Sequence, residues 1–264
     1  MRCPNRFAWF ALLMVVLALM AGCAHAPAPQ SPSAPWHGAR QMVLVTLVDW
    51  NVDHGLLRRY ERSGRTWKPV GEPQPVLIGR AGAAWGLGLH PPQPGGPRKR
   101  EGDGRSPAGV FAIGEAFGYL PGAVTAMPYR PMQASDYCVD VSGSPLYNQI
   151  VDTRVVGEAA VAGATEPMRR DLHADGDQRY RLGFVIAHNA RGQPMGGSCI
   201  FAHLWKSAGD PTSGCTAMAP TTMGPLLSWL DPHANPVFVL LPLAEYRRLR
   251  SAWSLPVIRQ AVMH

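Results

Sequence analysis

The apolar positions of this chain fall in short blocks broken by turn-forming residues, a spacing that favours strands over long helices. Met42 to Asp49, apolar but for Thr46 and Asp49, has strand length and predicts a strand. Gly55 to Arg62 and Thr66 to Val70 flank a Ser63-Gly64 turn and predict a hairpin. Val76 to Gly79, Gly109 to Ile113, Leu182 to Ala187, Ser198 to His203 and Pro236 to Leu241 predict further strands. Helical spacing is scarce. Met223, Leu226, Leu227 and Leu230 recur at i, i+3, i+4 and i+7, with Thr222 as the expected N-cap. Leu243 to Trp253 predicts a basic helix after Pro242, and Glu166 to His173 a short one. The expected fold class is mainly β with a few peripheral helices, in a single domain.

The N-terminal block has a different character. Arg2 and Arg6 precede an apolar run from Phe7 to Met20, which is shorter than the roughly 20 residues of a typical membrane span. The run ends in Met20-Ala21-Gly22-Cys23, which reads as a lipoprotein cleavage box with Cys23 as the lipidation site. Ala24-His25-Ala26 offers ordinary signal cleavage as the alternative. Prolines at 27, 29, 32 and 35 follow, in a stretch without apolar periodicity. The expected organisation is a signal peptide at 1–22, a lipid-attachment cysteine and Pro-rich linker at 23–40, and a folded domain at 41–264. Either cleavage route delivers the domain to the periplasmic side of the cell envelope, lipid-anchored or secreted.

Composition narrows the class. With 28 glycines, 26 prolines and 46% hydrophobic residues, a turn-rich domain with a substantial core is expected. Without residues 1–22, 23 basic residues face 18 acidic ones. The excess is spread thinly, with no basic run interleaved with aromatics, so nucleic acid is not an expected partner. It would suit an anionic wall polymer, and equally serves solubility. Setting aside Cys3 and Cys23 leaves an odd number of cysteines, Cys138, Cys199 and Cys215. In an oxidising compartment Cys138 and Cys199 would either pair or stay as buried thiols, and Cys215 is the one expected to remain free.

Cys215 carries the sharpest chemical signal. The apolar run Cys199 to Trp205 reads as a buried strand holding His203, and Asp210-Pro211-Thr212-Ser213-Gly214 leads by small residues to Cys215. A thiol needs a neighbouring base to attack near neutral pH, and a strand-borne histidine could supply one. Backbone amides of Ser213, Gly214 and Cys215 are candidates for an oxyanion hole. The competing reading is a small core cysteine and a histidine with a local hydrogen bond. Ser213 lacks the G-x-S-x-G context of a serine nucleophile. His188, at the end of another apolar strand, could orient His203 or touch substrate, or be a strand-end residue. Asp210, before Pro211, is expected in a turn more than in a triad. His188, Cys199, His203 and Cys215 lack metal-ligand spacings, so neither a metal nor another cofactor is expected.

Taken together, His203, Ser213-Gly214-Cys215, the Lys99 to Phe111 segment, Trp85-Gly86-Leu87-Gly88, Cys138-Val139-Asp140, Tyr147-Asn148 and Gly197 to Ala202 resemble the L,D-transpeptidase (YkuD-type) catalytic domain family across residues 41–243. Ser213 and Ala217 stand where the family pattern has a histidine before Gly-Cys and an Arg or Asn after it, and the His203–Cys215 interval is short. The resemblance implies an enzyme with the YkuD-like fold whose Cys215, with His203 as base, attacks peptidoglycan stem peptides and passes the acyl group to an amine. It also implies that the base is oriented by backbone. Hydrolysis as a carboxypeptidase or amidase, or wall binding without turnover, are the alternatives. The expected partners are stem peptides and, through the lipid anchor, the membrane; a monomer is expected. Lys99, Arg100 and Arg105 are further candidates for binding substrate carboxylates.

Overall fold

The computed structural model describes residues 36–258. The expected signal segment at 1–22, Cys23 and the proline-rich stretch to Pro35 lie outside the described residues. Within this span the fold is mainly β. Strand β1 (Gln41–Leu47) is buried along its whole length. It pairs parallel with the penultimate element, β13 (Val237–Pro242), and antiparallel with β2 (His54–Ser63). The hairpin of β2 and β3 (Thr66–Leu77) closes with Ser63 opposite Thr66, and Gly64 takes the positive φ, 59°, that this tight turn requires.

Strand β3 is longer than the two separate runs expected from the sequence. Pro69, Pro73 and Pro75 interrupt its apolar pattern, yet the strand continues through them with a register irregularity in the pairing to β2 between Leu57 and Arg59. Beyond it come β4 (Ala83–Trp85) and the 13-residue β5 (Ser106–Gly118), followed by β6 (Tyr129–Pro131), which pairs with β5. A small three-stranded sheet follows, with β7 (Asp136–Cys138) between β8 (Ile150–Asp152) and β9 (Glu166–Pro167). The chain then returns to the main sheet as β10 (Leu182–Ile186), β11 (Phe201–Leu204) and β12 (Thr216–Met218).

The order β10-β11-β12-β3-β2-β1-β13-β5 closes on itself, because β5 also pairs with β10. Closure leaves these strands without a free edge and encloses an apolar core that includes Leu44, Ile78, Val110, Phe111, Phe184 and Phe238. A second cluster, Phe117, Met132, Cys138, Met168, Tyr180, Cys199, Phe201 and Cys215, fills the space between the barrel and the small sheet. A disulfide from Cys138 in β7 to Cys199, just ahead of β11, staples the two sheets across 61 residues of sequence.

The helices are peripheral and differ from the expected ones at their ends. Residues 166–173 do not form one helix. Glu166–Pro167 pairs with β7 as β9, and the helical part is a single turn, α2 (Arg170–His173); another single turn, α1 (Thr153–Val156), lies upstream. Helix α3 (Pro220–Trp229) starts earlier than expected, with Ala219 as N-cap and Pro220 in the first turn, where a missing N–H costs nothing. Thr222 is therefore inside the helix, its hydroxyl turned to Gln74 Oε1 at 3.3 Å. Helix α4 (Leu243–Leu249) stops short of Trp253. The chain turns there, with Ser254 at φ 51°, and Trp253 stacks edge-on against Trp36, ring centroids 5.3 Å apart.

Candidate active site

His203 lies on β11 between two partners, opposite Gly183 on β10 and Ala217 on β12. Because β11 and β12 run parallel, the chain must cross over between them, and residues 205–215 make that connection. Its last residue is Cys215. The crossover therefore carries the cysteine back to the start of the strand that holds the histidine. Phe201, two residues before His203, donates its backbone N–H to Cys215 Sγ at 3.3 Å, and the sulfur faces the Cys199 carbonyl at 3.4 Å.

The turn is held from beneath by two hydroxyls. Ser106, fully buried at the start of β5, donates towards the carbonyls of Gly214 (2.7 Å) and Cys215 (3.0 Å) and accepts from the Gly79 N–H at 2.9 Å. Thr212 Oγ1 donates to the Cys215 carbonyl at 2.6 Å and accepts from the Gly214 N–H at 3.1 Å. The Gly214 amide is thereby occupied, which corrects its expected role as an oxyanion donor. Among the described residues the amides of Ser213 and Cys215 make no hydrogen bond and remain available for that role. The Ser213 side chain is on the surface, accepting from Arg80 Nη1 at 2.8 Å.

Electrostatics set the resting protonation. Burial pushes the Cys215 thiol up to about 12, and the Glu166 charge adds to this; the Phe201 N–H and the Tyr180 hydroxyl pull the other way. Burial lowers His203 to about 4, against the opposing Leu204 carbonyl, while Arg179 and Arg170 lower it further. At neutral pH both groups are uncharged. His203 Nδ1 lies 2.7 Å from the Leu204 carbonyl, which can only accept. This assigns the proton to Nδ1 and leaves Nε2 with its lone pair. No hydrogen bond joins His203 to Cys215 among the described residues.

The other expected site residues separate from this centre. His188 has both nitrogens satisfied: Nδ1 accepts from the Leu87 N–H at 3.1 Å and Nε2 donates to the Gly196 carbonyl at 2.9 Å. It is a buried structural pin, lowered to about 4 chiefly by burial. Asp210 sits in a turn, its N–H bonded to Ser207, and the Nδ1 position it would need on His203 is occupied by the Leu204 carbonyl. Cys138 and Cys199 are joined, leaving Cys215 as the free cysteine among the described residues. Lys99 is spent on Asp103 and the Arg100 carbonyl, both at 2.6 Å, and Arg105 on Trp50, Asn51 and Ala83. Among the described residues no cluster of three or more His, Cys, Asp or Glu side chains is arranged to hold a metal ion.

Tyr180 is the neighbour that sequence reasoning missed. Its ring stands edge-on to His203 (5.2 Å) and to Phe201 (5.5 Å), and its hydroxyl donates to Glu166 Oε1 at 2.8 Å. Arg170 binds the same Glu166 oxygen at 3.0 Å and Asp177 at 2.9 Å, and Arg179 closes on Asp177 at 2.6 Å. No local pattern marks these residues, because β9, α2 and the turn into β10 meet only in the fold. The one available hint was the i, i+4 spacing of Glu166 and Arg170.

The fold and site define a closed mainly-β domain with a buried cysteine beside a neutral histidine and a tyrosine–carboxylate pair. Compared with protein-family models, with curated proteins and with solved structures, the chain matches none. Its chemistry is therefore read from its own residues.

Proposed function

We propose that this chain is a cell-envelope cysteine acyltransferase of the L,D-transpeptidase type, with a YkuD-like catalytic fold, acting on peptidoglycan stem peptides. One observation carries the reading. The free cysteine sits on a hydroxyl-strapped turn, its sulfur bonded to the strand that bears a neutral histidine with an unoccupied Nε2.

In this reading substrate binding brings the Cys215 thiol and His203 Nε2 into proton-transfer contact. The thiol proton passes to Nε2, and the thiolate attacks the carbonyl on the L-centre of a diamino acid in the stem peptide. The Ser213 and Cys215 amides stabilise the oxyanion. Imidazolium returns its proton to the departing D-amino acid amine as the carbon–nitrogen bond breaks, leaving a thioester. An amine from a second stem, or water, then takes the acyl group and the thiol is restored. The burial that holds His203 neutral, with Arg179 and Arg170 beside it, also makes its imidazolium costly, so the proton would be held only briefly. An N-terminal lipid on Cys23, followed by the proline-rich stretch, would keep the domain near the membrane on the periplasmic side.

A second reading draws on the same burial. A thiol raised to about 12 is a poor resting nucleophile, as a wall-binding protein without turnover would have. Purified protein incubated with tetrapeptide-stem muropeptides, with products resolved by mass, decides between them. Cross-linked dimers or trimmed stems that depend on Cys215 support the acyltransferase. Unaltered muropeptides that are nevertheless retained by the protein support the binding module.

A further inference from the structure

The group that supports an ionised Cys215 is not evident from His203, since no hydrogen bond joins them. Tyr180 packs in the same apolar cluster as Cys215, Cys199 and Phe201. Its ring spans Phe201, whose N–H binds the sulfur, and His203, two residues further along β11. Its hydroxyl proton is directed to Glu166 Oε1, and Arg170 lies both against that oxygen and over the Tyr180 ring, 5.5 Å from its centroid.

A phenol has one proton to donate, and a carboxylate competes for it with a thiolate. We infer that Tyr180 is a catalytic residue of this site, turning its hydroxyl from Glu166 to the Cys215 sulfur when that sulfur is ionised. The inference rests on the acyltransferase reading and adds a second donor to it. The step moves no net charge by itself. The thiol proton goes to the base, the Tyr180 O–H bond stays intact, and its hydrogen bond changes acceptor. Glu166 is left bonded to Arg170, which also retains Asp177, so the carboxylate stays compensated.

The charged and titratable groups around the sulfur come from several elements. Glu166 on β9, Lys99 from the loop before β5 and Tyr180 act on the sulfur itself, while Arg170 on α2 and Asp177 and Arg179 ahead of β10 act on His203 of β11. Glu166 acts against the thiolate twice, through its charge and by holding the Tyr180 proton. Removing the donor and removing its competitor must therefore have opposite effects.

Alkylation of Cys215 by iodoacetamide, followed from pH 7 to pH 10 by mass, tests this on the intact domain. Tyr180→Phe should slow alkylation about tenfold at each pH below the plateau, the size expected when a charge-assisted hydrogen bond is lost. Glu166→Gln, with the same shape and no charge, should accelerate it several-fold. A merely structural role would shift both variants in one direction. No change in Tyr180→Phe, or slowing in both variants, overturns the proposal. Should Tyr180→Phe not fold, Glu166→Asp decides: it keeps the charge but withdraws the acceptor from the Tyr180 hydroxyl, so faster alkylation supports the switch, and slower or equal alkylation refutes it. Iodoacetamide needs no substrate recognition, so failure of this proposal is distinguishable from failure of muropeptide turnover.

Discussion

The backbone N–H of Phe201 and the sulfur of Cys215 are 3.3 Å apart, and this contact sets the cysteine at a fixed level of β11, two residues from His203. A parallel strand register, Ala202 opposite Thr216 and His203 opposite Ala217, sets a lone histidine on β11 and a lone cysteine just ahead of the neighbouring β12.

The thiol should titrate late. Burial raises Cys215 to about 12, whereas an ordinary thiol titrates near about 8.5. Alkylation by iodoacetamide should therefore still climb about tenfold per pH unit at pH 10, where an exposed thiol has levelled off. The label should be absent from Cys215→Ala. A plateau below pH 9, or label mapped to Cys199, contradicts the assignment.

Ser106→Ala should loosen the turn. The hydroxyl serves Gly79, Gly214 and Cys215 in a fully buried position, so its loss leaves backbone groups unpaired at a cost of roughly 1–3 kcal/mol. Urea denaturation should register that loss, and acylation of Cys215 by a carbapenem should slow by at least several-fold. Equal acylation rates in a destabilised variant would show that the strap supports the fold but not the nucleophile.

Loss of the disulfide should cost more. Cys138 and Cys199 are 61 residues apart in sequence, and releasing a loop of that size removes about 4 kcal/mol in the chain-entropy account. Cys138→Ser should lower the melting temperature and also disturb reactivity at Cys215, because Cys199 presents its carbonyl to the sulfur. Non-reducing peptide mapping of the wild type should find the Cys138–Cys199 pair; three free thiols would refute it.

Acid should destabilise the domain in a defined window. His188 and His203 are both held near about 4 in the fold, below the ordinary 6.5. Between those values the unfolded chain binds more protons, so stability is full above about pH 6.5 and falls as the pH drops towards 4. Each histidine contributes on the order of 3 kcal/mol at most. In His188→Asn, which keeps a donor and an acceptor, the acid slope should be about half as steep. Parallel profiles for variant and wild type would show that His188 is not neutral in the fold.

Location tests the N-terminal reading by itself. The wild type should enter the detergent phase, and Cys23→Ser should lose lipid labelling while its Cys215 still reacts with a carbapenem. A mature N-terminus at Pro27 would instead indicate ordinary signal cleavage after Ala26.

The hydrophobic pattern alone determined the mainly β class, the β2–β3 hairpin and the presence of most long strands. Each of these is a local consequence of apolar runs and turn residues. It also singled out Cys215 and His203, because a thiol and an imidazole in a small-residue context are visible without coordinates. Three-residue strands such as β7, β8 and β12 were not legible, since so short a segment has no period to read. The proline-broken β3 was hidden because pairing, not propensity, holds it extended. Only the tertiary structure decided that His188 is spent on Leu87 and Gly196, that Gly214 has lost its free amide to Thr212, and that Tyr180 and Glu166 stand beside the sulfur. Each of those facts depends on which strands become neighbours when the sheet closes, and closure joins residues that share no local pattern.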